Sequence, residues 1–248
     1  MADKHERSQP RRPGLPLHAT AAFGPFPTSK RKKVQGRSPD FFVSSKAATA
    51  IPTPHPALQD ALILASLDPQ VRSISYLATA VVATERVDLG AIVVRRDDGR
   101  FLLDVVEARR IRNLEDEGLA LIAMGELGLK PWVISALELR REPRYTNAQF
   151  VWLYNGHRVP RELRKRILGA LRDRKPMALG ELERSVGSDP SNDVMALVCA
   201  DQLELDLTSQ PLQLTTIVRA RRLPARNHQG IARARGNRIL RLPASPRS

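Results

Sequence analysis

The chain has 248 residues, with 40 lysines and arginines, 26 aspartates and glutamates, and a formal net charge of +14. Its single cysteine excludes an internal disulfide framework, and no apolar run reaches the roughly 18 residues that a membrane-spanning helix needs. The five histidines are scattered and the glycine-rich nucleotide-binding patterns are absent, which argues against a zinc site, a P-loop ATPase and a dinucleotide enzyme. We expect a cytoplasmic protein without a membrane partner.

Positive charge is concentrated at the two ends of the chain. Residues 1–46 contain ten basic and three acidic residues, and residues 219–248 contain nine arginines and no acid, so residues 47–218 carry a net charge of −2. We expect a disordered basic N-terminal arm over residues 1–54 and a disordered arginine-rich tail over residues 220–248, both able to grip a polyanion. The cations expected to contact nucleic acid there are Lys30, Arg31, Lys32, Lys33, Arg233 and Arg235.

The pattern over residues 55–158 predicts an α/β domain. The predicted elements are a helix at 56–67, a short pair of strands at 71–77 and 79–84, strands at 86–96 and 100–107, a helix at 111–128, a strand at 130–135 and a helix at 147–154. Asp68-Pro69 ends the first helix, and Asp97-Asp98-Gly99 is a strong hairpin turn. A strand–helix–strand crossover after a hairpin predicts a mixed sheet with flanking helices. The second helix has five apolar residues on or near one side: Leu114, Leu119, Leu121, Ile122 and Met124.

Residues 159–219 predict a small winged helix-turn-helix unit. Helices are expected at 161–174, at 177–186 and after Asp189-Pro190, followed by strands at 203–207 and 214–218. The basic face of the first of these helices includes Arg161, Arg164 and Lys165, which we expect to contact a DNA backbone. The alternative is a solvated helix surface on a unit that docks proteins.

Acidic residues lie on two adjacent predicted strands, sixteen residues apart, as in many Mg²⁺-dependent nucleases. Asp88 is the first acid, and two registers are open for the second. In one register Asp104 is the acid and Val106 occupies the position of the usual catalytic lysine. In the other register Glu107 is the acid and Arg109 replaces the lysine, which keeps the charge but cannot act as a base. The alternative is that these acids are ordinary hairpin residues.

The order of these parts resembles the TnsA-type transposon endonuclease family over roughly residues 32–218. The resemblance is carried by loose hydrophobic frames, which are Lys32–Pro39, Leu67–Val71, Val87–Leu89, Asp97–Gly99, Leu103–Val106, the helix ending at Gly128, Trp132–Ile134 and Asn147. It implies a restriction-endonuclease-like mixed sheet over residues 55–158, with Mg²⁺ held by Asp88 and Asp104. It also implies phosphodiester hydrolysis in DNA, in concert with a partner transposase.

The chain departs from the family pattern at three positions. The lysine is missing, Val87 replaces a proline, and the helix before Asp68 offers Gln59 or Asp60 where the family has a glutamate. These departures predict a degenerate member whose cleavage is weak or lost. The alternative function is a non-enzymatic winged-helix DNA-binding or regulatory protein, and the oligomeric state is left open.

Overall fold

The computed structural model describes residues 41–82, 85–171, 176–187 and 191–221. The strands are β1 (Phe41–Phe42), β2 (Ile51–Pro52), β3 (Val71–Val82), β4 (Glu85–Arg96), β5 (Gly99–Val105), β6 (Lys130–Ile134), β7 (Met177–Ala178), β8 (Leu203–Leu205) and β9 (Ile217–Ala220). The helices are α1 (Pro56–Leu67), α2 (Leu114–Glu126), α3 (Ala136–Leu139), α4 (Arg144–Trp152), α5 (Arg161–Ala170), α6 (Leu179–Val186) and α7 (Ser191–Cys199), with a 3-10 helix at Val106–Ala108. None of the helices within the described ranges is long and apolar enough to cross a membrane.

The larger sheet is mixed, as the sequence predicts, and has the strand order β3-β4-β5-β6. β3, β4 and β5 are antiparallel neighbours, whereas β5 and β6 are parallel and are joined through α2. The hairpin at Asp97-Asp98-Gly99 is confirmed, since Arg96 pairs with Gly99. The expected short pair of strands at 71–77 and 79–84 is wrong: β3 is continuous to Val82, and its partner is β4.

α1 is the central helix on one side of this sheet. The His55 side chain accepts a hydrogen bond from the Ala57 amide at 3.2 Å, and Pro56 occupies the first helical turn, where a missing amide costs nothing. The helix ends at Asp68 because Pro69 disfavours helical geometry in the residue before it. From Ala61 onward every residue of α1 is buried, so this helix forms the centre of the core.

α2 packs on the sheet through a different face from the one that the sequence predicts. Asn113 caps it by accepting a hydrogen bond from the Asp116 amide at 2.7 Å, so the helix begins at Leu114. Its buried residues are Ala120 and Ala123, which pack in one cluster with residues of β3 and β4. Three of the five apolar residues that we expected on one side instead face solvent, namely Leu114 at 92 %, Leu121 at 58 % and Ile122 at 52 % exposure.

The segment 41–54, expected to belong to the disordered arm, is ordered. It contains β1 and β2, which pair with each other, and Ile51 is fully buried. Phe42 stacks on Trp152 of α4, with ring centroids 5.1 Å apart. Burial of these apolar side chains offsets the conformational entropy that ordering the segment costs.

The C-terminal part contains three helices and a three-stranded antiparallel sheet with the order β7-β9-β8. It packs directly on the larger α/β part, since α7 lies against α1 and α4. The buried Asn147 of α4 donates from Nδ2 to the carbonyls of Leu207 and Gln210, both at 2.9 Å, and accepts from the Leu212 amide at 3.1 Å. The boundary predicted at residue 159 therefore falls between two parts that share a core.

Ordered structure continues to Arg221, inside the segment expected as a tail. Its guanidinium is almost fully buried and donates to the carbonyls of Pro69 at 2.7 Å and Val71 at 3.0 Å. The Asp201 carboxylate lies 3.0 Å from the same guanidinium. These bonds tie the end of β9 to the strand that begins the larger sheet.

Candidate functional site

Asp88 lies on β4, where its carboxylate is 63 % exposed and pairs with Arg110 at 3.1 Å. Arg110 reaches it by passing over Gly90, where an added Cβ would come within 2.5 Å of the guanidinium. Gly90 also has a positive φ of 52°, which glycine adopts without strain. The glycine therefore serves two purposes, since it forms the irregularity in β4 and leaves space for the arginine. An open cavity of about 570 Å³ lies beside this pair, between β4 and the start of α2.

Asp104 lies on β5 and is held by Arg109. The two side chains form a bidentate pair, with Nε and Nη2 donating to the two carboxylate oxygens at 2.8 and 2.7 Å. The hydrogen bond to Asp104 raises the pKa of the Arg109 guanidinium. Val106, the residue in the lysine position of the first register, begins the 3-10 helix and carries no polar group. Glu107, the acid of the second register, lies within that 3-10 helix and is exposed.

The two acids of the first register have separate surroundings. Asp88 lines the cavity at the start of α2, together with Arg110 and Arg112. Asp104 is not among the residues that line this cavity, and its carboxylate is bound by Arg109.

A Mg²⁺ ion at Asp88 and Asp104, the site that the sequence predicts, would have to displace an arginine from each carboxylate, and the site stays a prediction. Across the described ranges, no group of three or more histidine, cysteine, aspartate and glutamate side chains could hold a metal ion. Each acid already has an arginine partner in the place where a cation would bind. In this arrangement an arginine neutralises the negative charge of each acid, so neither carboxylate is a free metal ligand.

Asp60, one of the two α1 residues that the sequence offers in place of the family's glutamate, is bound to α4. Asp60 on α1 accepts hydrogen bonds from the Tyr145 hydroxyl at 3.3 Å and from Gln149 Nε2 at 2.9 Å, both on α4. Its role in the structure is to join α1 to α4.

Sequence reasoning missed Arg110 and Arg112 as residues of this region. Arg112 donates to the carbonyl of Leu89 and pairs with Glu117 of α2 at 3.2 Å. The sequence signal was the run Arg109-Arg110-Ile111-Arg112, which begins two residues after Glu107. An arginine run at that point predicts neutralisation of the acids more directly than it predicts catalysis.

The second predicted site, the basic face of α5, is exposed. Ile167 and Leu171 are fully buried against the helices that follow, and Arg161, Arg164 and Lys165 face solvent. Lys165 pairs with Glu162 at 3.0 Å, which leaves excess positive charge on the helix. The predicted contacts Lys30, Arg31, Lys32, Lys33, Arg233 and Arg235 lie outside the described residues.

α7, the helix that a winged helix-turn-helix would place in the major groove, has little free surface. All of its residues from Val194 to Cys199 are buried. At its start Asn192 is exposed, and Asp193 pairs with His157 at 3.2 Å. Groove insertion of the body of α7 would require opening the core, so α5 is the better placed helix for contact with a nucleic acid.

No family model matches this chain, and no curated protein matches it significantly. The likeness to TnsA-type endonucleases therefore rests on the sequence pattern, and function has to be inferred from the side chains and their geometry.

Proposed function

We propose that this chain binds duplex DNA through the exposed face of α5 and does not cut DNA by itself. The observation that supports this proposal most directly is that Arg161, Arg164 and Lys165 face solvent on one amphipathic helix whose apolar side is buried. Cations presented on a rigid helix can contact successive phosphates, and these contacts supply most of the affinity in binding that is not sequence-specific.

The proposal that residues 159–219 form a winged-helix unit is supported by the order of elements. A helix, a short strand, two helices and two further strands follow one another, and β9 lies between β7 and β8. A restriction-endonuclease-like origin for the larger part is supported by α1, the mixed sheet and the α2 crossover. In this proposal the fold of a TnsA-type subunit is kept, together with its transposase partner, because a partner surface does not need metal ligands.

Loss of cleavage is supported by the arginine partners of Asp88 and Asp104. Arg109 is fixed on a carboxylate and, as an arginine, does not release its proton to activate water. The acid–arginine pairs then have a structural role, since they join the segment between β5 and α2 to the sheet and neutralise the charges of both partners.

The test is duplex binding by the triple variant Arg161→Gln/Arg164→Gln/Lys165→Gln, measured by fluorescence anisotropy between about 50 and 200 mM salt. We expect weaker binding and a log–log salt slope reduced by about 2.7, because each lost phosphate contact removes about 0.9 from the slope.

The matched control is Arg95→Gln/Arg100→Gln/Arg140→Gln, which removes the same charge from exposed positions elsewhere. The control variant is expected to keep most of the slope. If both variants lose affinity equally, net charge rather than the α5 face governs binding and the proposal is wrong.

A further inference from the structure

A second cavity, lined by neither Asp88 nor Asp104, opens between the larger sheet and the C-terminal sheet. Its volume is about 650 Å³, within the range of small-molecule sites and large enough for a nucleotide. It is lined by the end of α1, by Trp132 of β6, by the start of α4, by residues 204–209 and by β9. No residue of α5 contributes to its lining.

One wall of this cleft is built from Arg96 and Trp132. The guanidinium carbon of Arg96 lies 4.8 Å from the centroid of the Trp132 ring, within cation–π range. Ion pairs with Asp68 at 3.4 Å and Asp98 at 3.3 Å hold the guanidinium in place. The charge of Arg96 is therefore offset by its own neighbours, and its guanidinium contacts the Trp132 ring in the wall of the cleft.

The acids of the cleft also have partners. Asp68 pairs with Arg96, and Glu204 lies 3.4 Å from Arg221. Asp206 accepts hydrogen bonds from the amides of Thr208 and Ser209. Hydrogen bonding, from the Ser209 side chain first and then from these amides, lowers the pKa of Asp206 to about 2. The negative charge of the cleft is thus already balanced or bound within its own walls.

Two arginines in the same lining differ from these. Arg144, at the start of α4, is half-buried, and Arg219, on β9, is exposed. Within the described part of the chain, neither side chain forms a hydrogen bond or an ion pair. A half-buried guanidinium has lost part of its hydration, so an anionic partner gains more there than at an open surface.

We propose that this cleft binds a mononucleotide, with Arg144 and Arg219 holding its phosphate and Trp132 contacting its base. Two guanidinium forks match a phosphate monoester, which carries close to two negative charges and accepts bidentate hydrogen bonds. An aromatic side chain fixed in the wall offers a surface for any base. The inference goes beyond the proposed function of α5 and does not depend on it.

The test uses the full chain with Trp152→Phe, which leaves Trp132 as its only tryptophan. We expect thymidine 5′-monophosphate to change the Trp132 fluorescence, and thymidine without phosphate to bind at least about tenfold more weakly, a difference of about 1.4 kcal/mol. Arg144→Gln and Arg219→Gln should each weaken binding of the monophosphate about tenfold or more. Arg140→Gln, an exposed arginine outside the cleft, should leave it unchanged.

If Trp152→Phe disturbs folding, the test is repeated by calorimetric titration of the chain with both tryptophans present. Monophosphate binding that neither arginine variant weakens would overturn the proposal, as would absence of binding in both measurements. Inorganic phosphate binding as tightly as the nucleotide would overturn the role of Trp132. Because the α5 triple variant is expected to bind the monophosphate normally, failure of the DNA-binding proposal and failure of this one are distinguishable.

Discussion

Lys46 shows how much the described structure depends on single buried charges. It is 6 % exposed, and its ammonium donates to the carbonyl of Asp68 at 2.6 Å and lies 3.3 Å from the Asp201 carboxylate. Burial lowers the pKa of this lysine to about 8, since desolvation outweighs the attraction of Asp201. The nearby guanidinium of Arg221 lowers it further.

This pKa predicts a stability that rises with pH. Between about pH 8 and 10.5 the unfolded chain still holds the proton that the folded chain has released, so raising the pH favours the folded state. We expect the difference in unfolding free energy between the natural chain and Lys46→Met to be flat below pH 8. It should then move in favour of the natural chain as the pH rises toward 10.5. Urea unfolding at a series of pH values measures it.

Lys130→Met, at an exposed lysine of β6, is the control for loss of a positive charge alone. A difference for Lys46→Met that is constant or falling across this pH range would show that Lys46 is not desolvated in the folded chain.

At the scale of elements, the rotation of α2 decides which substitutions the helix tolerates. Ala120 is fully buried against the sheet, whereas Leu121 is largely exposed. Ala120→Leu should therefore destabilise the protein by about 1–3 kcal/mol through overpacking. Leu121→Ala, one position away, should change stability by less than about 0.5 kcal/mol. Thermal unfolding of the two variants measures both, and the reverse order of effects would mean that α2 packs with its leucine side inward.

The positions of several elements could be predicted because local chemistry specifies them. Asp97-Asp98-Gly99 dictates the hairpin, and Pro56 with Pro69 delimits α1. The sequence predicts β3 as two pieces, whereas the strand continues through an irregularity in its pairing with β4 between Leu77 and Thr79. The rotation of α2 could not be predicted, since apolar residues lie all round this helix and only the close approach of the sheet selects its alanines.

The candidate site was less predictable than the fold. Carboxylates on neighbouring strands were visible in the sequence, but which face each strand buries depends on what packs there. The pairing of Asp88 with Arg110 and of Asp104 with Arg109 likewise depends on how the segment after β5 folds back on the sheet. Arg144 and Arg219 have no hydrogen-bond or ion-pair partner for their side chains within the described residues. This too depends on contacts between residues that are distant in the sequence.

At the scale of the whole molecule, charge is divided between the ends and the body. Residues 1–40 contain nine basic and three acidic residues, and residues 222–248 contain seven arginines and no acid. The body between them is close to neutral, and in the proposed function its exposed α5 face orients the polyanion that the charged ends attract. Binding and cutting are then separate properties, and this chain is proposed to retain the first.

The most direct measurement incubates supercoiled plasmid with the purified chain, once with Mg²⁺ and once with a chelator, and follows mobility and nicking on one gel. We predict that the plasmid is retarded under both conditions and remains supercoiled after the protein is removed. Nicking in Mg²⁺ that Asp88→Ala abolishes would contradict the account, since it would require the two acids to hold a metal despite their arginine partners.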